Sequence, residues 1–98
     1  VEEILAREHP SIVSHHAAHV DVWTSVRDPE VDLRTNVVGL VRLASACVRQ
    51  GVGLFVFSST GGAVYGEPQS NPVPESAPIR PLSPYGVDKR VGELYLRY

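Results

Sequence analysis

The sequence predicts an α/β protein with parallel strands joined by helices. Three observations carry that reading: two short apolar runs of strand character, "SIVSHHAA" and "GLFVFSST"; a long amphipathic segment between them; and a capped helix after the later run. Strands connected through a helical crossover lie parallel, with helices packed on the sheet.

Each element has its own local signature. "VEEILAREHP" reads as the last turns of an amphipathic helix, with Val1, Ile4, Leu5 and Glu8 on one side; no methionine precedes it, and the chain is expected to belong to something longer. The run after Pro10 reads as a buried strand ending in small residues. "RDPEVDLRTNVVGLVRLASACVRQG" has the strongest periodicity: Leu33, Val37, Leu40, Val41, Ala44 and Val48 share one helical stripe, Asp28 caps, Pro29 starts and Gly51 ends the helix. Its length would be about 30 Å. "GLFVFSST" is continuously β-branched and aromatic, the pattern of a parallel strand covered on both faces. From Thr60 to Pro84 the chain reads as one long loop holding six of the eight prolines. A final helix starts with Ser83 as cap and Pro84 in the first turn and runs through Tyr98. Two strands alone are unstable, so other strands must cover their edges.

Composition narrows the class. A chain of 98 residues, 43% hydrophobic and 20% charged, is ordinary for a globular protein, with a thin core for an enzyme. The net charge of -2 and the scattered basic residues argue against nucleic-acid and anionic-membrane partners. No apolar run approaches the length of a membrane span, and no segment reads as a leader. The single cysteine, Cys47, lies on an apolar helical face and suits a reducing compartment; the expected location is cytoplasmic.

Ligands of such sheets bind at the carboxyl ends of the strands, here "HHAAH" and "SSTGGAVYG". Tyr85 and Lys89, the only lysine, stand four apart and share a helix face. An ammonium beside a phenol favours the phenolate, so this tyrosine is expected to serve as a general base. Gly92 falls beside the pair and leaves room for a flat ligand, whereas Val87, Val91, Leu94 and Tyr98 form an apolar stripe on the other side. Thr60 ends the second strand, and Gly61 and Gly62 leave bare backbone after it. His15, His16 and His19 invite a metal reading, yet the first two point to opposite strand faces and no cysteine or acid completes a set. No metal is expected. Trp23 reads as packing. Asn36 falls at the edge of the long helix's apolar stripe, beside Leu43 and Cys47, where a buried polar role fits.

"HHAA", "DPEVDLRTN" with Asn36, "FSSTGGAVYG" and "SPYGVDK", in that order, resemble the middle of an extended short-chain dehydrogenase/reductase of the NAD-dependent epimerase/dehydratase type, most like its UDP-glucose 4-epimerase branch. The resemblance implies that residues 1–98 are the central part of an NAD-binding Rossmann domain, a doubly wound parallel sheet lacking its first strands and the carboxyl-terminal substrate domain. It implies NAD as cofactor, a nucleotide sugar as substrate, and a homodimer of the full-length protein through the two long helices. Residue by residue, Tyr85 matches the base, Lys89 the lysine that lowers its pKa and holds the nicotinamide ribose, and Thr60 the hydroxyl that bonds the reacting sugar oxygen. His16, Ala17 and Ala18 match the turn that passes the cofactor, Asn36 the helix asparagine near it, and Ser58, with Ser59, the strand end beside it.

The implied reaction removes the proton of the sugar 4-hydroxyl while hydride passes to NAD; the 4-keto sugar then turns over and takes hydride back on its other face. Dehydratases of the family carry an acid pair directly after the threonine. Gly61 and Gly62 stand there instead, which favours an epimerase, with another member of the family (a sugar-nucleotide dehydratase, a decarboxylase or a reductase) or a non-catalytic fragment or NAD-binding relative as alternatives. The family's glycine-rich pyrophosphate loop is not among these residues, so the 98 residues alone are expected to show no turnover and weak or no NAD binding.

Overall fold

A computed structural model describes all residues from Val1 to Tyr98. Its elements are α1 (Glu2–Glu8), β1 (Ile12–His15), α2 (Val22–Arg27), α3 (Pro29–Leu33), a π-helical turn (Arg34–Val38), α4 (Gly39–Arg49), β2 (Leu54–Phe57), α5 (Gly61–Val64) and α6 (Pro84–Arg97). The two strands pair in parallel, with Ile12 opposite Leu54 and His15 opposite Phe57. No helix is long and apolar enough to cross a membrane.

The core lies between the sheet and the helices on one of its faces. Leu5 of α1 and Ala46 and Cys47 of α4 are buried together, with Val13, Leu43, Val52 and Phe55 packed against them. Leu5 is the only buried residue of α1; Val1 and Ile4 are exposed, so the expected four-residue face of that helix is corrected to one buried anchor. An ion pair between Glu2 and Arg49 ties α1 to the end of α4.

The predicted long helix forms, but not as one uninterrupted α-helix. Asp28 accepts a hydrogen bond from the Val31 N–H, Pro29 occupies the first turn, and Gly51 turns the chain with φ +70°. Between these ends the Gly39 N–H bonds the Arg34 carbonyl five residues back, closing a π turn. One extra residue per turn rotates everything before it by about 100° relative to the turns after it. Leu33 is therefore 43% exposed, off the stripe on which Val37 and Leu40 are buried. Val48, at the other end, is 80% exposed because it lies with Val41 and Ala44 along an open groove beside α6.

One further element is new, and three other expectations are corrected. The chain after β1 makes a short helix, α2, capped by the Asp21 carboxylate through the Trp23 N–H and the Thr24 hydroxyl. Only Ser25 of this helix is buried, and Trp23 is 82% exposed, so it is not packing. The segment after Thr60 starts as a helical turn, α5, before the loop of residues 65–83. Strand β2 is covered on one face only: Phe55 and Phe57 are half-buried, while Leu54 and Val56, with Ile12 of β1, stay open.

Candidate active site

The site forms where the two strands end. The ladder continues one residue past β2, the Ser58 N–H donating to the His15 carbonyl at 3.1 Å, so the loop from His16 and the segment Ser58–Thr60 leave the same sheet edge. Helix α6 lies across that edge. Its cap is as predicted: the Ser83 hydroxyl accepts from the Gly86 N–H, with Pro84 in the first turn. The Tyr85 N–H donates to the Ser25 hydroxyl at 3.3 Å, so α2 butts against the start of the helix.

Lys89 is buried, and its ammonium donates to the Ser58 carbonyl at 2.7 Å. The same nitrogen lies 4.8 Å from the centre of the Phe57 ring and 5.9 Å from that of Tyr85, within the range of cation–π attraction. The tyrosine and lysine thus share one face of α6, turned to the strand end. Burial lowers the Lys89 pKa. His15 is pushed down as well, by burial first and then by the Lys89 and His16 charges. A lysine ammonium has three donors, and the Ser58 carbonyl takes one.

Thr60 is the N-cap residue of α5, and its hydroxyl makes no capping bond. Helix α5 reaches α6 because Gly86 follows Tyr85: a Cβ at Gly86 would stand 2.7 Å from the Ala63 carbonyl oxygen and 3.0 Å from Pro81. Ser59, Thr60 and Tyr65 line a cavity of about 220 Å³ together with Ile79 and, from α6, Glu93. Gly92 has a different use from the one expected. A Cβ there would meet Leu40 at 2.8 Å and the Phe57 ring at 3.0 Å, so the space it leaves is filled by the protein's own packing.

On the β1 side, His16 and Ala17 are exposed and Ala18 is half-buried. Asn36, presented by the π turn and buried, accepts from the His19 N–H at 2.8 Å and donates to the His19 carbonyl at 2.9 Å. It acts on the loop from behind, clamping its backbone. The three imidazoles go separate ways: His15 stacks with Phe57, His16 pairs with the Ser14 hydroxyl, and His19 pairs with Asp32 at 2.8 Å.

Four functional candidates escaped the sequence reading. Gly86 and Glu93 are two of them. The others are Asp32 of α3, fully buried, and Asp88 of α6, 5% exposed. One carboxyl oxygen of each meets no protein N–H or hydroxyl donor. Asp88 is pushed up to about 6, first by burial, then by its hydrogen bond to Asp32 and by the Asp32 charge. Glu93 was legible in principle, since it continues the four-residue spacing of Tyr85 and Lys89 on the same helix face.

Known proteins share this arrangement of elements. The model of the NAD dependent epimerase/dehydratase family matches residues 1–98. The UDP-glucose 4-epimerase of Mycolicibacterium smegmatis is 46% identical over 93 residues, 95% of this chain and 30% of that protein. The UDP-glucose 4-epimerase of Thermus thermophilus, solved with NAD, superimposes with a TM-score of 0.92 at 43% identity, over 98% of this chain and 31% of that one. That of Thermotoga maritima, solved with UDP-glucose, gives 0.89 at 42% identity, over 98% and 33%. The chain therefore spans about a third of the length of these relatives. With its parallel strands, its helical crossover and a match along every residue, it belongs to the NAD-dependent epimerase/dehydratase family of Rossmann-type extended short-chain dehydrogenase/reductases.

Proposed function

We propose that the full-length protein interconverts the C4 epimers of a nucleotide sugar of the UDP-glucose/UDP-galactose type, and that residues 1–98 form the central part of its NAD-binding domain. The observation that carries the reading is the arrangement of Tyr85 and Lys89 on one face of α6 against the strand end that delivers Thr60.

The residues present fit a dinucleotide at the sheet edge. Lys89 has two donors left for a ribose hydroxyl, Ser58 closes β2, and the small residues Ala17 and Ala18 leave the backbone of the β1 loop accessible while Asn36 holds it still. NAD, when bound, supplies the acceptor and donor for the hydrogen at C4. Tyr85 takes the proton of the sugar 4-hydroxyl and later returns it. The buried Lys89 nitrogen stands 5.9 Å from the centre of the Tyr85 ring, so its charge faces the group that exchanges the proton. Thr60, whose hydroxyl is free of capping duty, donates to the reacting sugar oxygen and fixes it against Tyr85. No residue of this edge needs to expel water from the sugar. Gly61 and Gly62 offer no carboxyl directly after Thr60, which supports epimerisation over the dehydratase chemistry that the family also contains.

The groove between α4 and α6, lined by Val41, Ala44, Val48, Tyr95 and Tyr98, supports a homodimer in which the same two helices of a second copy cover it. The function is tested by incubating the full-length protein with UDP-galactose and measuring UDP-glucose by chromatography. Conversion is expected. No conversion, with turnover of another sugar nucleotide, would replace the substrate assignment.

A further inference from the structure

Helix α6 grips the end of β2 at two successive residues. Lys89 holds the Ser58 carbonyl at 2.7 Å, and one turn later Glu93 accepts the Ser59 hydroxyl on Oε1 at 2.5 Å. The other carboxylate oxygen of Glu93 accepts from Arg90 Nη1 at 2.8 Å, an i, i+3 pair in which both side chains are less than one-third exposed. Burial alone would raise the Glu93 carboxyl. The Ser59 bond and the Arg90 and Arg97 charges outweigh it and hold the group below the usual carboxylate range, so it remains an ionised acceptor.

The next residue in the chain is Thr60, at the N-cap of α5 and with no capping bond of its own. A single peptide unit separates the clamped Ser59 from Thr60, so where Glu93 sets Ser59 it also sets the direction in which the Thr60 hydroxyl leaves the strand. Glu93 also lines the small cavity that contains Thr60. We infer that Glu93, braced by Arg90, is a positioning residue: through Ser59 it fixes the register of Thr60 against Tyr85 and Lys89. The inference rests on the epimerase reading for its kinetic consequence, but not for its structural one.

The test uses full-length enzyme with bound NAD and the variants Glu93→Ala, Glu93→Gln, Ser59→Ala and the double alanine variant. Glu93→Ala is expected to lower kcat about tenfold or more with KM within about twofold and NAD content unchanged, because Thr60 acts on the reacting oxygen and not on general binding. Glu93→Gln keeps an acceptor for Ser59 and should recover most of the rate. The double variant should be no slower than the worse single one, since both remove the same contact. Wild-type kcat in Glu93→Ala, equal losses in the alanine and glutamine variants, or additive losses in the double variant would each overturn the assignment. Ser59→Ala, a minimal change, keeps the test open if Glu93→Ala does not fold. Should the wild-type enzyme fail to epimerise, the function proposed above falls, and the clamp is then read by amide hydrogen exchange. Faster exchange confined to residues 58–62 in Ser59→Ala and Glu93→Ala supports it, and unchanged exchange there refutes it.

Discussion

At the scale of single residues, the site is built on buried charge. The Lys89 ammonium is packed against a carbonyl and two aromatic rings. Beside it in sequence, Asp88 faces Asp32 in the interior. Two carboxylates cannot share such a place without a proton, and Asp88 retains one up to about pH 6, against an ordinary value of 3.8. Between about pH 4 and pH 6 the folded protein binds more protons than the unfolded one, so the stability contributed by this group falls as pH rises through that range. By pH 7 that cost is fully present. Replacing Asp88 with Asn supplies a permanent donor to Asp32. Asp88→Asn in the full-length enzyme should therefore melt higher than wild type at pH 7, with the difference shrinking toward pH 4; coincident melting curves across that range would refute the shared proton.

At the scale of elements, packing of α5 on α6 decides where Thr60 lies relative to Tyr85, and Gly86 decides that packing. Gly86→Ala places a methyl 2.7 Å from a backbone carbonyl that cannot move without moving α5. It should cost about 1 to 3 kcal/mol and lower turnover more than NAD retention, measured by denaturant unfolding alongside kinetics. A variant with wild-type stability and rate would show that the α5–α6 contact is dispensable. The legibility of these elements in the sequence tracks their local chemistry. Ser83 with Pro84, and Asp28 with Pro29, mark two helix starts correctly because capping is decided within four residues. The spacing of Tyr85 and Lys89 on a helix is enough to place both toward the strand end, and the helical angle of Asn36 is enough to place it at a buried edge. The π turn is invisible in the sequence: nothing in "RTNVV" breaks a helix, and its extra residue is stabilised by the buried Asn36 bonding His19 across the fold. Helix α2 escapes because its six residues are too few for a periodic pattern, and its apolar Val22, Trp23 and Val26 stay exposed while only Ser25 is buried. Gly92 is misread because its neighbours, Leu40 and Phe57, come from distant parts of the chain.

At the scale of the whole molecule, 13 of the 98 residues are buried, and the second sheet face carries exposed Ile12, Leu54 and Val56. The continuous apolar run of β2 indicates cover on both faces, and these residues supply it on one. Relatives of this family are about three times as long. The 98 residues expressed alone should accordingly bind a hydrophobic dye and show no saturable NAD binding by calorimetry. Stoichiometric NAD binding by this segment would show that it holds a complete cofactor site.

The full-length enzyme itself gives the most direct measurement: the rate of UDP-galactose conversion by Tyr85→Phe, with bound NAD quantified in the same preparation. The proton-transfer role assigned to Tyr85 predicts a rate at least ~100-fold below wild type with NAD content unchanged. A variant that converts UDP-galactose at close to the wild-type rate would remove Tyr85 from the chemistry and with it the proposed mechanism.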